Sequence, residues 1–228
     1  MKLRQLLYYV TSLMMSAGAF SINLPHLYIG GNIGAANLSD KESTPQPSAA
    51  LHHLGANGLF GGGLIGYDFI LNKSIKIGME GFMNARALNS SSNQYYPNPN
   101  GISPTFNARM KYDLGFRALP TYALNSKNSL FVALGYASGK FNIKDNGNYG
   151  FISSNTYKSG FQYGGGIQTN VWQQIDLRIN LLYTFYSNSN LTGLTVNNVG
   201  NPGTSSLIYT NQFSTLDASL AIVYQFQE

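Results

Sequence analysis

Hydrophobic and polar residues alternate along most of the chain, most regularly between residues 106 and 122. There the apolar positions include Phe106, Met110, Phe116 and Tyr122, and no charged residue interrupts them. The positions between them carry four charges. Because side chains of a β-strand point alternately to two faces, the pattern predicts a strand with one apolar and one charged face. An apolar face this long exceeds the average soluble strand of about 5–6 residues and is typical of a strand in contact with lipid.

Seven further segments alternate in the same way, so the sequence predicts an all-β fold: an eight-stranded, antiparallel, transmembrane up-and-down β-barrel. The predicted strands are residues 27–37, 58–70, 74–87, 106–122, 129–141, 157–171, 174–187 and 212–226. Short turns are predicted at 71–73, 125–128 and 172–174, and long polar loops near 38–56, 88–104, 142–156 and 188–211. Short turns at one end and long loops at the other are typical of outer-membrane barrels.

Composition distinguishes this barrel from a soluble one such as a lipocalin. Only 10% of the residues are charged, against about 25% in a typical soluble domain. The polar face is rich in Gly, Ala, Asn and Ser, which suit a narrow lumen better than a solvated surface. Aromatic residues collect toward the strand ends, as in the girdles at a membrane interface. The predicted girdle consists of Tyr67, Phe69, Trp172, Tyr183, Phe185, Tyr224 and Phe226.

The N-terminus has the pattern of an export signal. Lys2 and Arg4 precede a short apolar stretch, which is followed by Ser16-Ala17-Gly18-Ala19. A charged region, a short apolar core and small residues are typical of a signal peptide, and the apolar stretch is shorter than the roughly 20 residues of a spanning helix. The sequence therefore predicts a signal peptide over residues 1–19 and a barrel domain over residues 20–228.

The charged face predicts ion pairs inside the barrel, because an eight-stranded barrel is just wide enough for its side chains to fill. Hairpin register places Glu80 level with Arg117, and Asp68 level with Lys76. It also places Arg86 near Asp113 and Lys111. The predicted lumen network comprises Asp68, Lys76, Glu80, Arg86, Arg109, Lys111, Asp113, Arg117, Asp176, Arg178 and Asp217.

Two segments carry a resemblance to a known family. Residues 160–167 and 175–186 resemble the last hairpin of bacterial outer-membrane barrels of the OmpA-like and opacity-type surface-antigen group, and residues 221–226 resemble their C-terminal assembly signal. The resemblance implies the outer membrane of a Gram-negative bacterium and a monomer without a peptidoglycan-binding domain. It implies contact with lipid and lipopolysaccharide, recognition of the last strand by the barrel assembly machinery, and a possible host or cell-surface ligand at the loops.

Candidate chemistry is sparse, and we expect no catalytic residues, no metal site and no cofactor. The glycine strings 61–63 and 164–166 lack the Lys-Ser/Thr of a phosphate loop and are interpreted as bends or as room for large lumen side chains. His52 and His53 could bind a metal, but no carboxylate or third ligand lies close to them in sequence, and Asp40 and Glu42 are only in the same predicted loop. A nucleophilic enzyme acting on lipid A would need a Ser–His pair, and no such pair lies within a predicted strand.

These patterns favour a non-enzymatic outer-membrane barrel that presents long loops for surface interaction, adhesion or envelope integrity. The alternatives are a small porin-like channel and, less favoured, a lipid A-modifying enzyme. The net charge of +5 is weak and its basic residues are scattered, so we expect no nucleic-acid partner. Aromatic residues among Asn and Ser are typical of adaptable contact surfaces. Those in the predicted loops include Tyr95, Tyr96, Tyr149, Phe151 and Tyr209.

Overall fold

A computed structural model describes residues 26–43, 53–93, 105–147, 150–187, 189–193 and 207–226. Its strands are β1 (Leu27–Ser43), β2 (His53–Ile70), β3 (Ile75–Asn93), β4 (Thr105–Ala123), β5 (Asn128–Gly147), β6 (Gly150–Trp172), β7 (Ile175–Tyr186), β8 (Ser189–Gly193) and β9 (Leu207–Gln225). The predicted signal peptide lies outside the described residues, as do His52, Tyr95, Tyr96 and Tyr149. Among the described residues, no helix is long and apolar enough to cross a membrane.

The strands form one closed antiparallel sheet. From β1 to β7 each strand pairs with the next in sequence, β7 pairs with β9, and β9 pairs with β1 to close the wall. The short β8 pairs with β9 just beyond the last β7 pair, so it continues the position of β7. The wall therefore has eight positions, and the predicted eight-stranded up-and-down barrel is confirmed.

Short turns connect β2 to β3, β4 to β5 and β6 to β7 at one end of the barrel, here named the turn end. In two of them an asparagine side chain accepts hydrogen bonds from backbone N–H groups: Asn72 from Ser74 and Ile75, and Asn125 from Lys127 and Asn128. These bonds satisfy donors that the tight turn leaves without a strand partner. The opposite end is named the loop end.

The strands extend further toward the loop end than the sequence predicted. The predicted loop 142–156 is largely a hairpin, in which β5 and β6 stay paired as far as Gly147 and Gly150. The sequence prediction was wrong here because it searched for an apolar face, and the Asn- and Ser-rich ends of these strands have none. Strands of 20 and 23 residues exceed the roughly 9–11 that cross a membrane.

The apolar faces of the strands form the outer surface of the barrel. Ile33, Met83, Phe116, Ile179 and Ile222 come from five strands and are each 59–65% exposed. The neighbouring residues in each strand point inward, and most of them are buried. An exposed apolar band surrounding a charged interior is the arrangement expected of a barrel in lipid.

Candidate functional site: the charged lumen

Glu80 on β3 lies at the centre of the lower ion-pair cluster. Its Oε1 accepts a hydrogen bond from Nε of Arg117 at 2.7 Å, and its Oε2 accepts one from Nη1 of Arg178 at 2.5 Å. Register explains the first pair, since Glu80 lies directly opposite Arg117 on β4. Arg178 reaches Glu80 across the lumen from β7. The predicted Glu80–Arg117 pair is confirmed, and Arg178 is a second cation that register alone did not indicate.

Amide side chains extend this cluster. Gln168 accepts a hydrogen bond from Nε of Arg178 at 3.1 Å and donates one to Asp176 at 2.5 Å. Asp176 also accepts hydrogen bonds from Asn170 and Gln225. The carboxylate of Asp176 is thus held by three amide groups and is linked to Arg178 through Gln168. Alternation places Gln168 in phase with the other inward residues of β6, but the predicted lumen network did not include it because it carries no charge.

Arg86 organises the upper ion-pair cluster, between two aspartates. It binds Asp113 through Nε at 2.6 Å and Nη2 at 2.8 Å, and Asp217 through Nη1 at 2.8 Å and Nη2 at 2.6 Å. All three side chains are buried. Two bidentate contacts fix the guanidinium plane, the geometry that arginine favours with carboxylates. The predicted Arg86–Asp113 proximity is confirmed, and Asp217 joins them from β9.

A third pair, Lys76 with Asp68, lies near the turn end and has a 2.6 Å contact. Asp68 is level with Gly78 rather than with Lys76, so the expected register was wrong by two residues although the pair forms. With Lys76, the charged side chains inside the described wall comprise five basic and five acidic groups. The described charged side chains of the lumen therefore carry no net formal charge.

Apolar side chains fill the lumen toward the loop end. Phe141 packs against Phe213 and edge-on against Tyr186, with ring centroids 4.9 and 5.2 Å apart. Leu38, Leu88 and Met110 are fully buried in the same cluster. Lys158, which the sequence also missed, is 2% exposed and places its Nζ 4.0 Å from the centre of the Phe213 ring. The lumen is thus packed above the ion pairs as well as at their level.

Glycines provide the room for this packing. A Cβ on Gly66 would lie 2.3 Å from the ring of Tyr28, and one on Gly166 would lie 2.6 Å from the ring of Phe131. Within the first glycine string, a Cβ on Gly62 would lie 2.1 Å from the carbonyl oxygen of Met83. These positions match the interpretation of the glycine strings as space for the interior.

Arg109 and Lys111 do not belong to the lumen network, which corrects the sequence prediction. Both side chains are exposed on the outer surface, whereas Met110 between them is fully buried. The cause is a bulge: Met110 pairs with Phe141 and Tyr112 with Lys140, which leaves Lys111 without a partner on β5. Lys111 and Tyr112 therefore both point outward, and the alternation reverses beyond them. The remaining nine residues of the predicted network lie inside.

The predicted girdle residues lie on the outer surface near both ends of the barrel. Trp172 is 70% exposed, and Tyr67 packs edge-on against Phe69 with centroids 4.9 Å apart. Tyr224 packs against Phe226 in the same way, at 5.1 Å. These five residues lie near the turn end. Tyr183 and Phe185 lie in the half of β7 toward the loop end. Their role as interfacial anchors stays a prediction.

A cavity of about 550 Å³ opens on the outer wall between β4 and β5. The β4–β5 pairing skips Leu119 and Pro120, because proline has no N–H to contribute to the ladder. Pro120, Tyr122 and Val132 are among its lining residues, and most of the lining is apolar. Within the part of the chain that the structure describes, no group of three potential metal ligands occurs.

The family model described as the outer membrane protein beta-barrel domain matches residues 7–226. Ail of Yersinia pestis, in a complex with the heparin analogue sucrose octasulfate, is 15% identical to this chain. The aligned region covers 86% of this chain and 99% of Ail, with a TM-score of 0.40. Neisserial surface protein A is 13% identical, and the aligned region covers 88% of this chain and 97% of that protein, with a TM-score of 0.43.

The outer-membrane protease OmpT of Escherichia coli is 11% identical, and the aligned region covers 91% of this chain and 99% of OmpT, with a TM-score of 0.48. No curated protein matches the sequence. The family match spans nearly the whole chain and agrees with the closed barrel and its apolar outer band. This chain belongs to the outer-membrane β-barrel protein family and resides in the bacterial outer membrane.

Proposed function

We propose that this protein is a closed, non-enzymatic barrel that does not conduct and that presents its extracellular hairpins for surface contact, in adhesion or in envelope integrity. One observation carries the proposal: the lumen is filled by paired charges and, above them, by packed apolar side chains. An ion crossing this lumen would have to separate buried pairs such as Glu80–Arg117. Breaking such a pair costs about 3–5 kcal/mol.

The loop end supports the second part of the proposal. Outer-membrane barrels keep short turns in the periplasm and long connections outside the cell, so the loop end is assigned to the exterior. β5 and β6 have 20 and 23 residues, which is more than a membrane requires. Their outer faces beyond the apolar band carry polar groups such as Asn142 and Asn155, which hydrogen-bond at 2.8 Å. A rigid hairpin of this kind holds a contact surface away from the membrane.

Planar-bilayer conductance tests the closed lumen. We expect the purified, folded protein to give no steady conductance, whereas a porin reconstituted in parallel does. The double variant Glu80→Ala/Arg117→Ala removes both ion pairs of Glu80, the one with Arg117 and the one with Arg178, and shortens two lumen side chains. It is expected to show brief openings. The matched variant Lys73→Ala/Lys127→Ala changes only turn residues and should stay silent. Steady conductance of the unmodified protein would instead support the porin-like alternative.

Lipid A mass spectrometry tests the non-enzymatic role. Support comes from the lumen carboxylates, each of which is engaged by arginine, lysine or amide groups in the described network. Cells that express the protein should yield the same lipid A species as cells that lack it. An altered acyl chain or phosphate pattern would favour the enzyme alternative.

Surface contact is tested by shortening the β5–β6 hairpin. A variant in which residues 144–153 are replaced by a two-residue turn should still show the gel-mobility shift of a folded barrel on heating. We expect it to lose adherence to host cells, or to lose detergent resistance if the role is envelope integrity. A shortened barrel that retains both properties would contradict this part of the proposal.

A further inference from the structure

A basic patch lies on the outer surface of β4, β5 and β6, directly beyond the apolar band. The bulge in β4 turns Arg109 and Lys111 outward, and β5 contributes Lys140 and Lys144. Pairing brings these residues together: Tyr112 lies opposite Lys140, Arg109 opposite Asn142, and Asn107 opposite Lys144. Among the described outward side chains of this region none is acidic, so the four positive charges are not balanced on that surface.

The height of the patch places it at a membrane interface. Lys140 follows Leu130, at the turn end of β5, by ten residues. Ten residues of a strand tilted by about 40° rise about 25 Å, which is the height of the apolar band of an outer-membrane barrel. Phe116, Tyr136 and Phe161 form the last fully apolar row below the patch. The basic side chains therefore lie where the acyl chains of the outer leaflet end and the headgroups begin.

Two tyrosines hold the central lysine in place. Nζ of Lys140 lies 5.7 Å from the ring centre of Tyr112 and 5.4 Å from that of Tyr157, within the range of a cation–π contact. The two tyrosine hydroxyls hydrogen-bond to each other at 2.7 Å. Because Lys140 lies opposite Tyr112 on one side and Tyr157 on the other, the ladder itself sets this arrangement. An ammonium group held beside this hydroxyl pair, which has one O–H left to donate, is suited to bind an oxyanion.

From this arrangement we infer that Arg109, Lys111, Lys140 and Lys144 form a binding site for the phosphate groups of an outer-leaflet lipid, that is, for the phosphorylated lipid A part of lipopolysaccharide. Charge complementarity and position both select this occupant. A soluble anion would gain no binding energy from the neighbouring apolar band. A lipid places its phosphates at the patch and its acyl chains against the band below. The site is independent of whether the lumen conducts.

Binding of fluorescent diphosphoryl lipid A to the folded protein in neutral-detergent micelles tests the inference. The variant Lys111→Gln/Lys140→Gln removes two charges from the patch. Each basic residue near a charged lipid surface contributes about fivefold to binding, so this variant should bind about 25-fold more weakly. The control Lys73→Gln/Lys127→Gln removes the same number of exposed lysines from the turn end and should bind like the unmodified protein. Heat-dependent gel mobility verifies that every variant is folded.

The probe and its competitors separate the possible sources of the phosphate. Lipid A stripped of both phosphates should bind weakly to the unmodified protein, and excess inorganic phosphate should not displace the diphosphoryl lipid. Equal binding by the patch and control variants, equal binding of the stripped lipid, or displacement by inorganic phosphate would each overturn the inference. It would also be overturned if the patch variant lost binding to a sulfated polysaccharide such as heparin while keeping lipid A, since the patch would then serve an external polymer.

Discussion

Nε of Arg117 lies 2.7 Å from Oε1 of Glu80, and both side chains are buried in the lumen. The same carboxylate binds Arg178 through its other oxygen, so one acidic group on β3 holds cations from β4 and β7. Among the described contacts, Asp176 is connected to Arg178 through Gln168 and not directly. Glu80 is thus the carboxylate in direct contact with both arginines within the described network, and it ties opposite sides of the wall together.

Replacing Glu80 should therefore destabilise the barrel more than replacing any other single lumen acid. We expect Glu80→Gln to lower the free energy of unfolding by about 3–5 kcal/mol, because it leaves two buried guanidinium groups without a counter-charge. Urea titration of the protein in lipid vesicles, with the folded fraction read from unboiled gels, measures the change.

The matched control for Glu80→Gln is Asp68→Asn. Asp68 pairs with Lys76, whose side chain is 23% exposed near the turn end, so water can compensate for the lost pair. The loss should be about 1 kcal/mol or less. If Glu80→Gln were no more destabilising than Asp68→Asn, the lower cluster would not hold the wall together.

Replacement by alanine should destabilise the barrel at one glycine of the first string and have little effect at the adjacent one. Gly62 points inward, where a Cβ would lie 2.1 Å from the Met83 carbonyl oxygen and 2.4 Å from Oδ1 of Asn84. Gly63 points outward, where the nearest atom to a Cβ would be 3.8 Å away. We expect Gly62→Ala to cost about 1–3 kcal/mol of unfolding free energy and Gly63→Ala to stay within about 0.5 kcal/mol of the unmodified protein. The same urea titration compares the two variants. Similar losses of unfolding free energy at both positions would contradict the interpretation that Gly62 provides space inside the barrel.

Alternation was sufficient to predict the fold, because in a barrel the same period-two rule decides which face meets lipid and which meets the lumen. It assigned Asp113, Arg117 and Glu80 to the interior, and the structure places them there. The rule says nothing about which inward residues meet across the lumen. The contacts of Glu80 with Arg178, and of Arg86 with Asp217, depend on barrel closure and on the tilt of the strands, which join residues 98 and 131 positions apart.

The rule also fails where a strand contains an extra residue. Period two continued through Lys111 assigns Arg109 and Lys111 to the lumen and Met110 to lipid, opposite to the structure. One indication of the bulge is present in the sequence, since two unpaired cations near the loop end would have been difficult to neutralise in so narrow an interior. The same bulge creates the outward basic patch, so the feature that alternation missed is the one that supports a lipid site.

Single-cysteine labelling distinguishes the bulged strand from a regular one, and the absence of native cysteine makes the experiment clean. In intact cells, Lys111→Cys and Arg109→Cys should react with a membrane-impermeant maleimide, because both side chains are exposed beyond the apolar band. Met110→Cys should be protected, because Met110 is fully buried in the apolar cluster that includes Leu38 and Leu88. A regular strand would turn positions 109 and 111 into the packed lumen and position 110 outward, and so predicts the reverse.

Labelling of denatured samples shows that each thiol is present and reactive. Because the three positions are consecutive, differences in depth along the strand are too small to explain an alternating result, and the pattern reports the direction of the side chains.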